Sequence, residues 1–463
     1  MKHRAIAWLT LLIGCAASAG SDTQPATSTL PEGAPPAAIA RGSGGGGTYR
    51  FAAGHSVSRE LKLTRTPEGL RFNWPDLGAA TWDTALMSVS SWGAESEPWI
   101  EIAAGGASIR QDLDPNAIGE RWLNLSGLRG RLSGGTEVLL RTHAVTLGED
   151  QATLRLFDNR LDLRARILIV APHPDDAEIA AFGFYADRSA SIVTVTAGNA
   201  GDMNYRAQIS DPAEHYRLKG YLRAVDSVTV PWQGGVPPER SYNLGYFDGR
   251  LDAMYAAPER VVPEVYGTNT DVLPYRRANI GTLLPIESRS NSWRHLVDDV
   301  ASVLQKVNPA LIVMPDPRLD SHLDHEFTSV AVVQALERWH GNAIFLLYTN
   351  HIAANRYPYG PAGDVMSLPP ISKDIELQSV YSHATDAALQ VRKVFALESM
   401  HDLRLSPDEQ MLCDTPGVAR RPDYPRTAAE DYLRRAPRAN ELFYVFDRDG
   451  VQQVVRDFLA DRK

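Results

Sequence analysis

The chain has little cysteine, no excess of basic charge and, near its N-terminus, an apolar run too short to cross a bilayer. Cys15 and Cys413 are the only cysteines among 463 residues, so stability must come from packing and not from a disulfide framework. The net charge of -9 argues against a nucleic-acid partner, because phosphate binding requires concentrated Lys and Arg. The 44% hydrophobic and 22% charged content is typical of a globular protein, and the length predicts two domains plus termini.

The N-terminal residues predict export. Residues 1–4 are basic and residues 5–13 are apolar, which is the pattern of a signal peptide over residues 1–15. The end of this run, Leu12-Ile13-Gly14-Cys15, resembles a bacterial lipobox. The resemblance implies cleavage before Cys15, lipidation of Cys15 and tethering to a membrane, most simply at the periplasmic face of the outer membrane. The alternative is an ordinary signal peptide whose cysteine is incidental.

The composition then changes twice before residue 165. Residues 16–48 are rich in Ala, Pro, Ser and Gly, which cannot bury a core, so they predict a flexible tether. Residues 49–164 contain short segments of period-two alternation separated by Gly, Pro and Asn, which predicts an antiparallel β-sandwich domain. Five tryptophans there can stack on sugar rings or fill the core, and we expect the core; they are Trp74, Trp82, Trp92, Trp99 and Trp122.

From residue 165 to residue 463 strand-like runs alternate with helices, which predicts an α/β domain with a mostly parallel sheet and helices on both sides. Residues 167–170 and 311–314 are continuous apolar runs, typical of strands buried on both faces. Residues 228–230 predict a further short strand, and residues 291–307 an amphipathic helix.

Residues 250–289 interrupt the alternation. They are rich in Pro, Tyr and Arg without a clear period, and we expect a long loop. Loops of this length inside an α/β domain are usually lids or binding walls.

Two clusters of metal-binding side chains follow strand-like runs. His173-Pro174-Asp175-Asp176 comes after the run at 167–170, and His322-Leu323-Asp324-His325 comes after the run at 311–314. Ligands bind outside the carboxyl ends of strands in an open α/β sheet, and both clusters lie at that edge. We therefore expect the two clusters to form one site.

The chemistry of these residues suits hydrolysis. One His, one Asp and a second His can hold zinc with a fourth position left for water, whose pKa then drops to roughly 7. Asp175 can take the proton from that water and return it to a leaving amine. His322, if protonated, can stabilise an oxyanion, and Asp324 can hold the tautomer of His322.

The two motifs also resemble those of a known family. Val170-Ala171-Pro172-His173-Pro174-Asp175-Asp176-Ala177-Glu178 looks like the signature of PIG-L (LmbE-like) deacetylases, and Asp320-Ser321-His322-Leu323-Asp324-His325 looks like their second motif. The resemblance covers residues 164–401. It implies a Rossmann-like fold, a catalytic zinc ion and removal of N-acyl groups, typically acetyl, from sugars of the N-acetylglucosamine type.

The resemblance also implies the role of each residue. The zinc ligands are His173, Asp176 and His325, the general base is Asp175, and His322 stabilises the transition state. Two positions outside the two motifs resemble family residues less closely.

Arg217 resembles a family arginine near the substrate, and Asp248 resembles a family acid that contacts sugar hydroxyls. Both are equally compatible with surface or turn positions. Gly220 stands where a helical Glu often follows the arginine, which puts the substrate contacts in doubt.

The leading hypothesis is a membrane-tethered zinc amidohydrolase that acts on an N-acetylated amino sugar or glycan. One alternative is a surface glycan-binding lipoprotein whose metal domain is inactive. Another is the same chemistry on a different amide, such as a glycolipid, a glycopeptide or a thiol conjugate. The sequence leaves the oligomeric state and the acyl group open.

Overall fold

The computed structural model describes residues 46–92, 97–115, 117–148, 151–352, 357–403 and 435–462, and these belong to one compact unit. The signal peptide with Cys15, most of the tether, and Cys413 lie outside the described residues, so export and lipidation stay predictions. Within the described ranges, no helix combines the length and apolar character needed to span a membrane.

The region before residue 158 consists of short strands. They are β1 (Tyr49–Phe51), β2 (Val57–Lys62), β3 (Thr64–Thr66), β4 (Gly69–Asn73), β5 (Thr84–Trp92), β6 (Trp99–Ala104), β7 (Ala107–Asp112), β8 (Gly119–Asn124), β9 (Glu137–His143), β10 (Thr146–Leu147) and β11 (Gln151–Phe157). One antiparallel sheet has the order β10-β5-β11-β2, with β8 also paired to β5, and the other has the order β3-β4-β9-β6-β7. The predicted period-two alternation is visible in β6, where buried and half-buried residues alternate.

The two antiparallel sheets share a hydrophobic cluster. Met87 and Leu154 from the first sheet pack in it together with Ile102 and Leu140 from the second. Other side chains of the first sheet, such as Phe157, belong instead to the core of the α/β part. These contacts do not show a separate β-sandwich domain, which therefore stays a prediction.

The prediction that tryptophans fill the core is confirmed for three of the five. Trp74, Trp82 and Trp122 are buried. Trp99 is half-buried, and Trp92 is exposed.

The rest of the chain is organised around a seven-stranded mixed sheet. Its strands follow the order β14-β13-β12-β15-β16-β19-β18, in which the first five strands are mutually parallel and β19 is antiparallel to both of its neighbours. β17 pairs with β1 outside this sheet. The strands are β12 (Ile167–Ala171), β13 (Ala190–Thr196), β14 (Ser241–Tyr246), β15 (Leu311–Pro315), β16 (Ile344–Tyr348), β17 (Ile375–Leu377), β18 (Ser379–Ala384) and β19 (Asn440–Phe446).

Helices cover both faces of this sheet, as the sequence predicts. Alternate residues of β12 point to opposite faces, so Leu168 packs in one hydrophobic cluster with Leu296 of α5, and Ile169 packs in another with Phe182 of α1. The helices are α1 (Asp176–Tyr185), α2 (Pro212–Thr229), α3 (Leu251–Ala256), α4 (Leu273–Arg276), α5 (Trp293–Val307), α6 (Leu323–Ala335), α7 (Ala387–Ser399) and α8 (Arg448–Asp461). Short 3-10 helices span Ser126–Arg131, Val230–Gly234, Pro238–Arg240, Leu336–Arg338 and His401–Leu403.

The predicted amphipathic helix is confirmed as α5, which ends where Asn308 takes a left-handed conformation.

The predicted strand at 228–230 is wrong. Its β-branched residues favour a strand locally, but they continue α2, which packs against β14. The segment 250–289 is not a plain loop, because it contains α3 and α4.

One buried ion pair provides a test of this fold. The Glu441 carboxylate on β19 accepts hydrogen bonds from the backbone N–H groups of Gly183 and Phe184 in α1, and Lys393 Nζ of α7 lies 2.7 Å from it. Removing one partner of a buried pair leaves an uncompensated charge. We expect Glu441→Ala to lower the free energy of unfolding by about 3–5 kcal/mol, measured by chemical denaturation.

An exposed pair serves as the control. Arg294 and Glu259 form a salt bridge in which both side chains are more than half exposed. Glu259→Ala should change the free energy of unfolding by less than about 1 kcal/mol. Equal effects of the two substitutions would contradict the arrangement of α1, α7 and β19.

Candidate metal centre

Both predicted motifs lie at the carboxyl edge of the seven-stranded sheet. β12 ends at Ala171 and β15 ends at Pro315, and these two strands are adjacent and parallel. The loops that follow them therefore meet at one edge. Asp175 directly precedes α1 and His322 directly precedes α6, so each motif ends in the first turn of a helix.

Three ligand atoms predicted from the sequence come together there. His173 Nδ1 lies 3.1 Å from His325 Nε2 and 3.2 Å from Asp176 Oδ2. The third distance, between His325 Nε2 and Asp176 Oδ2, is 3.0 Å. All three side chains are buried. The two sequence-distant motifs thus form a single centre.

The spacing of these atoms fits a tetrahedral metal ion. Bonds of about 2.0–2.1 Å to histidine nitrogen and carboxylate oxygen place neighbouring ligand atoms about 3.3 Å apart, which is close to the three observed distances. Three protein ligands leave the fourth corner of a tetrahedron open. His322 and His351 also offer nitrogen atoms within 4.8 Å of two of these ligand atoms.

The charge of the site also fits a divalent cation. Five buried carboxylates surround the centre, whereas Arg223 is the buried arginine that contacts them. The five are Asp175, Asp176, Asp248, Asp320 and Asp324. A buried excess of negative charge is costly unless a cation compensates it.

Asp320 fixes the orientation of His325. Its Oδ2 lies 3.0 Å from His325 Nδ1 and also accepts the backbone N–H groups of Asn350 and His351. Burial alone would lower the pKa of His325, but the carboxylates of Asp176 and Asp320 raise that pKa to about 10. Because Nδ1 faces Asp320, Nε2 faces the centre, and a metal ion that binds there displaces a proton.

Asp324 and Asp248 fix the orientation of His173. His173 Nε2 lies 3.2 Å from Asp324 Oδ2 and 3.3 Å from Asp248 Oδ1, so Nδ1 is left to face the centre. The expected contact of the Asp324 carboxylate with His322 is therefore corrected, since this carboxylate reaches across to the other motif. Asp248 is buried beside a ligand, and the sugar contact that the resemblance implies for it stays a prediction.

His322 is held in its neutral form. Its Nδ1 accepts a hydrogen bond from the backbone N–H of Asp324, which leaves Nε2 as the protonated nitrogen of the neutral ring. Burial, together with the nearby His173 and His325, lowers the pKa of His322 to about 4. The condition that His322 be protonated is not met in this environment, which favours a neutral hydrogen-bond donor.

Asp175 combines a strained backbone with a buried carboxyl group. Its φ of 135° lies in the region that L-residues rarely adopt, and such strain persists only where the surroundings enforce it. Arg223 Nη2 donates to Asp175 Oδ2 at 2.9 Å and to the carbonyl of Pro174. Burial raises the pKa of Asp175 to about 7, although the charge of Arg223 opposes the shift.

The arginine at this site is Arg223 and not Arg217. Both belong to α2, but residues six positions apart on a helix lie on different faces. Arg217 is exposed, whereas Arg223 is buried against Asp175. The match of Arg217 to a family arginine near the substrate stays a prediction.

The family comparison covers both motifs. Residues 168–336 match the family model PIG-L, described as GlcNAc-PI de-N-acetylase. This segment is a PIG-L domain. The resemblance seen in the sequence is confirmed over more than a third of the chain. No curated protein matches the chain significantly.

Solved structures resemble the chain only weakly. GalB, the 4-carboxy-2-hydroxymuconate hydratase of Pseudomonas putida KT2440, has 12% identity and a TM-score of 0.27, covering 51% of this chain and 79% of its own. The acetyl xylan esterase Est2A of Butyrivibrio proteoclasticus has 11% identity and a TM-score of 0.17, covering 76% and 96%. A family two carbohydrate esterase of Clostridium thermocellum has 16% identity and a TM-score of 0.11, covering 28% and 40%.

Four residues at the centre were not predicted as site residues. Asp320 stands in the second motif, two residues before His322. Arg223 could be identified only by knowing which residues of α2 face the centre. Asn350 and His351 lie outside the residues matched to the PIG-L domain. They directly follow β16, which neighbours β15, so a search of each strand's carboxyl end could have found them.

Asn350 completes the contacts of the Asp176 ligand. Its Nδ2 donates to Asp176 Oδ1 at 2.8 Å, which leaves Asp176 Oδ2 for the centre. The ring of His351 lies beside that of His325, with centroids 5.0 Å apart. The loop after β16 therefore contacts residues of both PIG-L motifs.

Asp320 provides a test of the metal centre that does not depend on activity. We expect Asp320→Asn to weaken the affinity for Zn²⁺ about 10–100-fold, because it removes the charge that orients His325. Competition with a chromophoric chelator measures this affinity. Asp402→Asn is the control, because the Asp402 carboxylate contacts Lys219 and Arg223 and not a ligand. Unchanged affinity in Asp320→Asn would contradict the proposed ligand set.

Proposed function

We propose that this chain is a metal-dependent amidohydrolase that removes the N-acetyl group from an N-acetylglucosamine-type sugar. The observation that carries the proposal is the triangle of His173, Asp176 and His325 beside the buried carboxyl group of Asp175. The family description, GlcNAc-PI de-N-acetylase, supports both the reaction and the kind of sugar. We propose zinc as the ion, although iron and cobalt suit similar ligands.

The proposed setting is an exported glycan. It depends on residues 1–15, whose pattern predicts a signal peptide and a lipidated Cys15. The chemistry at the metal centre does not depend on this setting.

The ion would be held by His173, Asp176 and His325. When bound, it supplies Lewis acidity, which polarises the amide carbonyl and makes water nucleophilic at neutral pH. Asp324 and Asp320 keep the two imidazoles oriented towards it. Carboxylates that accept a hydrogen bond from a histidine ligand also raise the basicity of that ligand.

Asp175 is the group that moves the proton. Its carboxylate accepts a proton from the attacking water and delivers it to the amide nitrogen as the C–N bond breaks, so acetate and a free amine are formed. A pKa near 7 suits a group that must both accept and release a proton at neutral pH. Arg223 holds the carboxylate in place through Oδ2.

His322 stabilises the tetrahedral intermediate. The backbone N–H of Asp324 occupies its Nδ1, so the Nε2–H is available to donate to the developing oxyanion. This role requires a hydrogen-bond donor and not a positive charge.

Asp175→Asn tests the catalytic assignment. We expect kcat for amine release from N-acetylchito-oligosaccharides to fall about 10²–10⁴-fold, while one metal ion per chain is retained. Amine release is followed with a primary-amine reagent, and metal content by atomic emission. Full turnover in this variant would remove Asp175 from the mechanism.

Asp386→Asn is the matched control for that substitution. Asp386 also precedes a helix, where its side chain accepts the backbone N–H of Leu389. Asn is as good a cap as Asp, so this variant should keep wild-type kcat.

Metal removal provides an independent test. Dialysis against a chelator should abolish amine release and lower the melting temperature, because an ion that binds only the folded state stabilises it. Adding Zn²⁺ should restore both quantities. If the metal-free protein retains full turnover, the reaction does not require the ion. If the metal-loaded protein binds glycan and releases no amine, the glycan-binding alternative is favoured.

A further inference from the structure

Two tyrosines form a flat stack between α2 and the segment 250–289. The rings of Tyr216 in α2 and Tyr266 in the segment 250–289 have centroids 4.0 Å apart and an interplanar angle of 12°. Tyr216 is 6% exposed, whereas Tyr266 is 43% exposed. Tyr266 therefore rests on a buried ring and presents the rest of its surface to solvent.

The stack is fixed from both sides. Tyr216 donates its hydroxyl hydrogen to the carbonyl of Gly201, in the loop after β13. Tyr266 lies in a turn that is closed by a backbone hydrogen bond from Glu264 to the carbonyl of Asn269. A ring held this way loses little conformational entropy when it binds a ligand.

A continuous series of hydrogen bonds joins this turn to the metal centre. Tyr275 donates its hydroxyl hydrogen to Glu264 Oε2 at 3.3 Å, and Asn199 Nδ2 donates to the Tyr275 hydroxyl at 3.2 Å. Asn199 Oδ1 accepts the backbone N–H of Asp248, whose carboxylate contacts the ligand His173. The turn that carries Tyr266 and the metal centre are thus joined through buried hydrogen bonds.

Helix α2 contacts both the stack and the metal centre. Tyr216 and Arg223 are seven residues apart in α2, which corresponds to about 10 Å along the helix axis. Arg223 contacts Asp175, so the stack and the metal centre are contacted by residues of α2 that are about two turns apart.

Polar groups flank the exposed ring. Arg217 follows Tyr216 in the chain and is exposed. Its charge acts on Glu264, where it opposes the rise in pKa that burial causes. An exposed aromatic face with a guanidinium group on a neighbouring residue of the stack suits a sugar, which has an apolar face and a rim of hydroxyl groups.

We propose that Tyr266 is the platform of a second sugar subsite, so that the substrate is an oligosaccharide or a longer glycan and not a single amino sugar. This inference rests on the proposed function. It assigns a binding role to the segment 250–289, which lies within the PIG-L match but whose substrate contacts the family motifs do not describe.

The test compares substrates of different length in the metal-loaded full chain. For Tyr266→Ala we expect the KM for N-acetylchitotetraose to rise roughly two- to twelvefold, with kcat unchanged. The KM for monomeric N-acetylglucosamine should not change, because that substrate does not reach the platform. Tyr266→Phe should retain the wild-type KM for both substrates.

Tyr221→Ala is the control, because Tyr221 is a similarly exposed tyrosine on α2, at 44%, whose ring stacks on no other ring among the residues that the structure describes. It should leave both KM values unchanged. An equal rise of KM for monomer and tetramer in Tyr266→Ala, or no rise for either, would overturn the subsite.

Direct binding separates this proposal from the proposed function. Titration calorimetry of N-acetylchitotetraose against wild type and Tyr266→Ala reports on the subsite even if no amine is released. Weaker binding by the variant supports the platform in that case, while the absence of turnover refutes deacetylation. Equal affinities, or no binding by wild type, refute the platform.

Discussion

The close approach of His173 Nδ1, Asp176 Oδ2 and His325 Nε2, within 3.0–3.2 Å of one another, is the constraint on which the site depends. Three polar atoms held this closely in a buried place require compensation for their lost hydration. Asp320 and Asp324 supply part of it by engaging the outer nitrogens of the two imidazoles. A divalent ion bound at the centre would complete the compensation.

The sheet explains why these atoms meet. β12, β15 and β16 are neighbouring parallel strands, so their carboxyl ends deliver three loops to one edge. Two of these loops run directly into helices, α1 and α6, whose N-termini favour the carboxylates in their first turns. The third loop carries Asn350, which holds the outer oxygen of Asp176. Fold and chemistry are therefore linked through strand order.

Local patterns predicted the parts of the molecule that local physics determines. The apolar run of β12, the amphipathic face of α5 and the ligand spacing in both motifs depend on neighbouring residues, and the structure has each of them. The strand expected at 228–230 failed because packing of α2 against β14 outweighs the preference of Val and Thr.

Contacts between distant segments could not be predicted in this way. The carboxylate of Asp324 reaches His173 in the other motif, and the guanidinium group that contacts Asp175 comes from Arg223, which lies on a different face of α2 from Arg217. Both depend on helix phase and on how loops meet across the sheet edge. The same holds for the stack of Tyr216 and Tyr266, whose members are fifty residues apart.

Anomalous diffraction at the zinc absorption edge, from crystals of the metal-loaded protein, tests the central claim most directly. We expect one strong peak about 2.0–2.2 Å from His173 Nδ1, Asp176 Oδ2 and His325 Nε2. A peak held by other side chains, or no peak at this edge of the sheet, would contradict it.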